Sequence, residues 1–228
     1  MGLALALALV AAACGGGGDD EGGGGQQQAT AERGGVLRTA ISDFGFTNGF
    51  DPTGEYVAVA IGLYGAMTRT LMGTKHIADA PGNELVPDLA EGEPQISEDG
   101  LTYTFKLKQG VKWAPPLDRD VTSKDVAYAF QRINAAPLVA QYGFYYTGII
   151  KGLDGKAKSA ATEVSGIETP DDQTIVFNLE QPTGDFLYRV FMPATAPIPQ
   201  EVAKCFTNAG DYVRYVMSSG PYMIQGSE

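Results

Sequence analysis

The chain has 228 residues, a formal net charge of −11 at pH 7 and 44% hydrophobic residues. The acidic balance argues against a nucleic-acid-binding protein, which would present a basic face, and the hydrophobic content argues against a wholly disordered chain. A single His and two widely separated cysteines, Cys14 and Cys205, argue against a zinc finger, an iron–sulfur protein or a disulfide-stapled scaffold.

The chain begins with an uncharged run of apolar and small residues at positions 1–13. A bilayer-spanning helix needs about 20 apolar residues, so this run is too short to cross a membrane and instead suits a signal peptide. The run leads directly into Cys14, which resembles the bacterial lipobox, where the cysteine is lipidated and becomes the mature N-terminus. Ala11 stands where that motif usually has Leu, and no Lys or Arg precedes the run. A buried apolar helix and an ordinary secretory signal are the alternatives.

Residues 14–33 are rich in Gly and contain no large apolar side chain. Such a segment cannot bury enough apolar surface to offset its ordering entropy, so the composition predicts a flexible tether. A chain of this length and composition would reach about 25 Å. The remaining residues hold 23 acids and 15 bases, a net charge of −8, which suits an extracellular domain and indicates no basic patch for docking on a membrane surface.

From residue 34 onward the sequence alternates short apolar segments with loops. Residues 36–42 are short and β-prone and predict a strand, and residues 43–53 predict a loop because they are rich in Gly, Asp, Asn and Pro. Residues 56–72 are long and apolar and predict a buried helix. The Gly and polar residues that interrupt this segment favour a core helix over a membrane span.

Two hairpins are predicted from period-two patterns. Apolar and polar residues alternate at 101–108, and the preceding Asp99 and Gly100 supply a turn with positive φ. Residues 164–169 and 174–179 flank a turn-forming Pro-Asp-Asp-Gln and predict the second hairpin. In each hairpin one face is expected to pack on the core.

The clearest helix is predicted to begin after Thr122, whose side chain and that of Asp125 can form a capping box. Apolar residues at helical spacing are then expected to face the core, namely Val126, Phe130 and Ile133. Residues 183–190 predict a short helix, and residues 222–225 predict a final strand after a turn. Strands and helices are interleaved with hairpins, so the predicted class is α/β with mixed sheets.

Five segments, taken in order, resemble motifs of the bacterial extracellular solute-binding proteins of family 5, which serve ABC transporters in peptide and nickel uptake. The segments are 85–91, 97–113, 122–130, 169–177 and 219–222. The last reads Ser-Gly-Pro-Tyr where the family usually has Thr-Gly-Pro-Tyr. Each motif is weak by itself, but the ordered set is specific and covers Gly35 to Gly226.

The resemblance implies a periplasmic-binding-protein-like type II (cluster C) fold, in which two lobes close around a ligand. Family members are much longer than this chain, so the resemblance implies an N-terminal fragment that holds lobe I with its extra subdomain and lacks the second lobe. Within residues 34–228, the family pattern assigns 34–56 and 164–228 to lobe I and 57–163 to the inserted subdomain.

In the family, the loop that leaves the first strand lines the ligand cleft, which makes Ser42, Asp43, Phe44 and Gly45 the implied ligand-binding residues. Backbone groups at a strand end can pair with an extended peptide. Asp43 can meet a cationic group of the ligand or serve only as a turn residue.

An aromatic cluster at Tyr142, Phe144, Tyr145 and Tyr146 forms either a rim of the cleft or part of the packed interior. Packing in the core or between lobes is the favoured interpretation, and Tyr145 is kept as a ligand-binding candidate. Trp113 lies in a motif turn and is expected to be structural.

No catalytic motif stands out, so we expect a protein that is not an enzyme and that uses no cofactor or metal. His76 is the single His and lies in a polar loop, and Asp171 and Asp172 suit a turn better than a pair of catalytic acids. Cys205 is expected to be buried or to pair with a cysteine of the missing part, because disulfides persist outside the cell.

The resemblance therefore implies a substrate-binding lipoprotein of an ABC importer, anchored through Cys14 to the outer face of the cytoplasmic membrane. It would capture oligopeptides or a related small solute and deliver them to permease subunits, with no nucleic acid as partner. A surface-anchored receptor module without transport is one alternative. A secreted hydrolase is another, although the sequence lacks the nucleophile–base or metal set that it would need.

Overall fold

The computed structural model describes residues 45–224, and these belong to a compact unit formed by residues 43–228. The predicted signal peptide, the tether and the strand at 36–42 lie outside the described residues.

The described part alternates helices and short strands. Its α-helices and strands, in chain order, are α1 (Ala58–Met67), β1 (Met72–Thr74), β2 (Leu85–Pro87), β3 (Gln95–Ile96), β4 (Thr102–Lys106), α2 (Ser123–Asn134), β5 (Ile167–Asp171), β6 (Thr174–Asn178), α3 (Phe186–Arg189) and α4 (Gln200–Ala203). Short 3₁₀ turns occur at Ala80–Asn83, Ala136–Leu138, Gly143–Tyr145, Pro193–Thr195 and Asp211–Arg214.

Within residues 45–224 the strands form a two-stranded sheet, β1–β2, and a four-stranded sheet in the order β3–β4–β6–β5. Neighbouring strands in both sheets are antiparallel, and an isolated bridge between Ala135 and Ala157 is parallel. Both predicted hairpins are confirmed, as β3–β4 around Gly100, whose φ is +68°, and as β5–β6. The period-two pattern is confirmed too, since Tyr103 and Phe105 are buried.

The helix predicted after Thr122 is confirmed as α2, and so is its capping box. The Thr122 amide donates a hydrogen bond of 2.9 Å to Oδ2 of Asp125. The three predicted core residues of this helix are buried, namely Val126, Phe130 and Ile133. The start of α2 is therefore determined by its own sequence.

Aromatic side chains form the centre of the core between α2 and the four-stranded sheet. The ring of Phe177 on β6 lies 5.0 Å from that of Phe130 and 5.4 Å from that of Phe186, and Phe105 on β4 packs against it at 5.9 Å. Such edge-on pairs bury large apolar area in a defined geometry, so they hold α2 on the sheet.

The helix predicted at 56–72 is shorter and less buried than expected. Within this segment only Ala58–Met67, the helix α1, is helical, and Met72 already begins strand β1. The side chain of Leu63 on α1 is exposed. The helix ends at Thr68 because the carbonyl of Met67 accepts the amides of Ser219 and Gly220, at 3.0 and 2.8 Å. A distant segment therefore occupies the position where the next helical turn would form.

Three other expectations also need correction. The helix predicted at 183–190 shrinks to α3, and residues 222–224 form no strand, while Gln225 lies outside the described residues. Cys205 is a free, exposed thiol, so the interpretation as a buried residue was wrong.

No helix in the described residues is long and apolar enough to cross a bilayer.

Candidate ligand-binding surface

The first predicted site, the loop after the first strand, is only partly within the described residues. Ser42, Asp43 and Phe44 lie outside them, as does the lipidation candidate Cys14. Gly45 is exposed, and a methyl group added at its Cα would meet no atom within 4 Å. The described part of this loop comprises residues 45–57.

The loop formed by residues 45–57 is held in shape by one carboxylate. Glu55 is buried, and its Oε1 accepts the amides of Tyr56 and Val57, each at 2.8 Å. Its Oε2 accepts the amide of Thr47 at 2.8 Å. Hydrogen bonds to a charged acceptor are stronger than neutral ones, so this carboxylate fixes both ends of the loop.

A second charged group ties the same loop to α2. Nη2 of Arg132 lies 2.6 Å from Oδ2 of Asp51, and its Nε donates to the Thr53 hydroxyl at 3.0 Å. The Arg132 guanidinium also lies over the ring of Tyr212, 5.1 Å from its centroid. The loop is thus anchored on the buried side of α2, and its far end, Tyr56, faces solvent.

Tyr56 packs against aromatic residues of the segment after α2. Its ring lies 6.4 Å from that of Tyr142, and the Tyr142 hydroxyl donates to the Tyr56 carbonyl at 3.3 Å. Tyr145 lies 5.9 Å from Tyr142 and 4.3 Å from Phe144. We call Tyr56, Tyr142, Phe144 and Tyr145 the aromatic surface; Tyr56 is 50% and Phe144 66% exposed.

Arg189 contacts the aromatic surface through Tyr145. Its guanidinium lies 5.6 Å from the centroid of the Tyr145 ring and donates to the Tyr145 carbonyl, and it also pairs with Asp185. A cation against a ring face stabilises the ring's position. Tyr145 is therefore held from behind, while its neighbour Phe144 remains open to solvent.

The favoured interpretation was that the aromatic cluster packs in the core or between lobes, and three of its four residues do pack on the core: Tyr146 is buried, and Tyr142 and Tyr145 lie partly buried against it. Tyr146 is fully buried, its hydroxyl donates to the Arg189 carbonyl at 2.9 Å, and burial raises the pKa of this hydroxyl. Phe144 is 66% exposed, so it does not pack in the core of the described residues, and packing between lobes stays a prediction for it. Burial also raises the pKa of the Tyr142 hydroxyl.

Sequence reasoning missed Tyr56 as a neighbour of Tyr142 and Arg189 as a neighbour of Tyr145. Tyr56 lies 86 positions from Tyr142 and was assigned to the start of a helix. No local pattern pairs residues at that separation. The only available signal was composition, since a segment with several aromatic residues in a row is unusual on a soluble surface.

The aromatic surface can hold apolar and planar groups of a ligand on its rings and can offer hydroxyl groups at its edge. Ligand sites combine apolar and aromatic walls with a few fixed polar groups. Beside the same loop lies an apolar cavity of about 400 Å³, bordered by Phe50, Leu63 and Val213. Within residues 45–224 there is no group of three or more His, Cys, Asp or Glu that could hold a metal ion.

A sequence model described as Bacterial extracellular solute-binding proteins, family 5 Middle, matches residues 84–228. The chain is 28% identical over 193 residues to a dipeptide-binding protein of Escherichia coli (strain K12), and the match covers 79% of the chain and 34% of that protein. It is 32% identical over 151 residues to the oligopeptide-binding protein OppA of Bacillus subtilis (strain 168), and this match covers 59% of the chain and 26% of OppA.

Solved structures show the same similarity. Clavulanic acid biosynthesis oligopeptide binding protein 2 superposes with a TM-score of 0.70 at 30% identity, over 79% of this chain and 32% of that one. The substrate-binding domain of an oligopeptide ABC transporter from Bacillus anthracis gives a TM-score of 0.63 at 26% identity, over 77% and 33%. The chain thus spans between about a quarter and a third of the length of the proteins that it matches.

Proposed function

This chain belongs to the bacterial extracellular solute-binding proteins of family 5, and on that premise we propose that it captures peptides outside the cytoplasm for an ABC importer. Its fold is the expected α/β, periplasmic-binding-protein-like type II lobe. Relatives named as dipeptide- and oligopeptide-binding proteins support a peptide as the ligand. We propose a binding protein and no enzyme, because the family binds solutes.

The observation that carries the proposal is the aromatic surface beside the loop of residues 45–57. Peptides present apolar side chains, which stack on aromatic rings, and backbone groups, which pair with extended chain. The aromatic rings are present here, because Tyr56 ends the loop and its ring packs against that of Tyr142. Ser42, Asp43, Phe44 and Gly45 remain proposed ligand-binding residues on the family resemblance alone.

We propose further that the protein is a lipoprotein held at the outer face of the cytoplasmic membrane. In this proposal residues 1–13 are the signal peptide, Cys14 carries the lipid, and the Gly-rich residues 14–33 form the tether. Permease subunits of the importer are the proposed partners. The proposal rests on the order of these segments in the sequence.

The test is isothermal titration calorimetry with the protein expressed from its complete reading frame, using a panel of di- to pentapeptides. We expect at least one peptide to bind, and Tyr145→Ala to weaken that peptide about 2- to 10-fold, the size of a stacking contact. Tyr188→Ala is the control, because Tyr188 is an exposed tyrosine that lies outside the aromatic surface. It should bind like the wild type, and thermal melting should show both variants folded.

Other outcomes would reject parts of the proposal. If no peptide binds while a nickel complex or a sugar does, the ligand class is wrong. Equal affinity of Tyr145→Ala and Tyr188→Ala would remove the aromatic surface from the site. If peptides bind but deletion of the gene leaves peptide uptake unchanged, the receptor alternative is the better one.

A further inference from the structure

Arg132 is a charged residue in the least accessible part of the molecule. Its side chain is 0% exposed, and that of its partner Asp51 is 3% exposed. The residue lies near the C-terminal end of α2, whereas Asp51 and Thr53 belong to the loop of residues 45–57. The pair therefore joins two segments that lie 81 positions apart in the chain.

A buried ion pair is a poor way to gain stability. The desolvation of both charges offsets much of their attraction, and apolar residues of similar volume are often as stable in the same place. One nitrogen of this guanidinium, Nη1, has no hydrogen-bond partner within the described residues. The arrangement is better explained by the geometry that it enforces, because the two acceptors of Arg132 fix both the distance and the direction of the loop.

A continuous series of contacts leads from Arg132 to the aromatic surface. The carbonyl of Asp51 accepts the amides of Gly54 and Glu55, each at 3.0 Å, and these hydrogen bonds close a turn. Arg132 binds the side chain of the same Asp51. The Glu55 carboxylate then accepts the amide of Tyr56 at 2.8 Å. The Tyr56 carbonyl accepts the Tyr142 hydroxyl, so the position of the loop sets the position of this ring pair.

We propose that Arg132 is a positioning residue for ligand capture, which through Asp51 and Thr53 holds the loop so that Tyr56 stands against Tyr142 before a ligand arrives. The inference rests on the proposed function for its binding readout. A surface that is already assembled spares the ligand the cost of ordering it. If the assembled state were only partly populated, the apparent affinity would fall by that fraction.

Three variants test the proposal in the protein expressed from its complete reading frame. Arg132→Lys keeps the charge but can reach only one of the two acceptors, and Asp51→Asn keeps the shape but removes the charge. Thr53→Val removes only the hydroxyl that accepts from Nε and is the variant most certain to fold. The matched control is Arg119→Lys, since Arg119 bridges Asp125 at the other end of α2 to Glu201 and does not contact the loop.

Two readouts are measured at a temperature where melting curves show every variant folded. The first is the dissociation constant and association rate of the tightest peptide from the panel. The second is hydrogen exchange at the amides of Thr47, Tyr56 and Val57. We expect Arg132→Lys and Asp51→Asn to weaken binding at least tenfold through a slower association rate, and to speed exchange at these amides. Thr53→Val should give a two- to fivefold effect, and Arg119→Lys should alter neither readout.

A purely structural role would lower the melting temperature of the Arg132 and Asp51 variants and leave the affinity of the folded molecules unchanged. That result, or unchanged exchange at the three amides, overturns the proposal. A wild-type protein that binds no peptide refutes the proposed function instead. In that case the exchange readout still decides whether Arg132 holds the loop.

Discussion

At the scale of single residues, the carboxylate of Asp125 shows how one side chain can serve several elements. It is buried at the start of α2, where its Oδ2 accepts the indole of Trp113 at 3.3 Å and Nη1 of Arg119 at 2.8 Å. Arg119 continues to Glu201 on α4 at 2.6 Å. Trp113 is thus structural, as its motif predicts, and the network joins the 113–119 segment, α2 and α4.

The stabilising effect of the ion pair between Arg119 and Glu201, at the end of this network, is expected to depend on pH. Hydrogen bonds from Arg119 hold the pKa of the Glu201 carboxyl below its usual range. Because the pKa is lower in the folded state, the contribution to stability is present above the unfolded-state pKa of about 4.3 and is lost as the pH falls through the folded-state value. We expect Glu201→Gln to lower the free energy of unfolding at pH 7 by about 0.5–1 kcal/mol, since the pair is exposed on one side.

Urea unfolding at pH 7, 5 and 3 measures this effect. The difference between Glu201→Gln and the wild type should shrink between pH 5 and pH 3 as the wild-type carboxylate is protonated. Glu180→Gln is the control, because Glu180 is an exposed residue outside the described ion pairs. A difference that grows towards acid pH would show that the stabilising group is not the Glu201 carboxylate.

At the scale of elements, the end of α1 depends on the Ser-Gly-Pro-Tyr motif far along the chain. The Ser218 hydroxyl and the amides of Ser219 and Gly220 converge on the Met67 carbonyl, at 2.7, 3.0 and 2.8 Å. A methyl group added at Gly220 would lie 2.6 Å from the Met67 carbonyl carbon and 2.9 Å from the Met67 and Ala66 oxygens. The glycine is therefore required by the close approach of two backbones.

Gly220→Ala should destabilise the fold by about 1–3 kcal/mol, the usual cost of forcing extra atoms into a packed site. The neighbours are backbone atoms, so they cannot move aside without shifting α1. Gly62→Ala is the matched control within α1, because a methyl group there meets nothing within 4 Å and alanine favours a helix by about 1 kcal/mol over glycine.

Thermal and urea unfolding of both variants compare the two substitutions directly. Gly220→Ala should melt below the wild type, and Gly62→Ala at or above it. Equal melting temperatures for Gly220→Ala and the wild type would mean that the motif does not pack on α1 as described.

At the scale of the whole molecule, the chain joins three parts with different chemistry. The segment 1–13 is apolar and uncharged, 14–33 is Gly-rich, and the remainder carries a net charge of −8. An acidic body is not attracted to an anionic membrane surface. In the proposed lipoprotein, the lipid on Cys14 provides the attachment.

Metabolic labelling with radioactive palmitate, followed by membrane fractionation, tests this attachment. The wild type should be labelled and sediment with membranes, and Cys14→Ala should be unlabelled. Cys205→Ala is the matched control, because Cys205 is an exposed thiol elsewhere in the chain. Label that is retained in Cys14→Ala, or lost in Cys205→Ala, would contradict the proposed anchor.

The elements predicted correctly are those in which neighbouring residues decide the structure. The alternation in β4 places Tyr103 and Phe105 on one face because strand side chains alternate. The capping box of α2 needs only Thr122 and Asp125, three positions apart. The ordered motifs also determined the family and the fold, because each reflects a local turn, cap or strand.

Tertiary structure decided where α1 ends and which residues form the candidate site. Gly220 meets Met67, Arg132 meets Asp51, and Tyr142 meets Tyr56 across separations that no helical or strand period spans. Such contacts form because folding buries apolar surface and then has to satisfy the polar groups enclosed with it. Local patterns depend on a few neighbouring residues, whereas partners for buried charges and backbone groups are set only when the whole chain has packed.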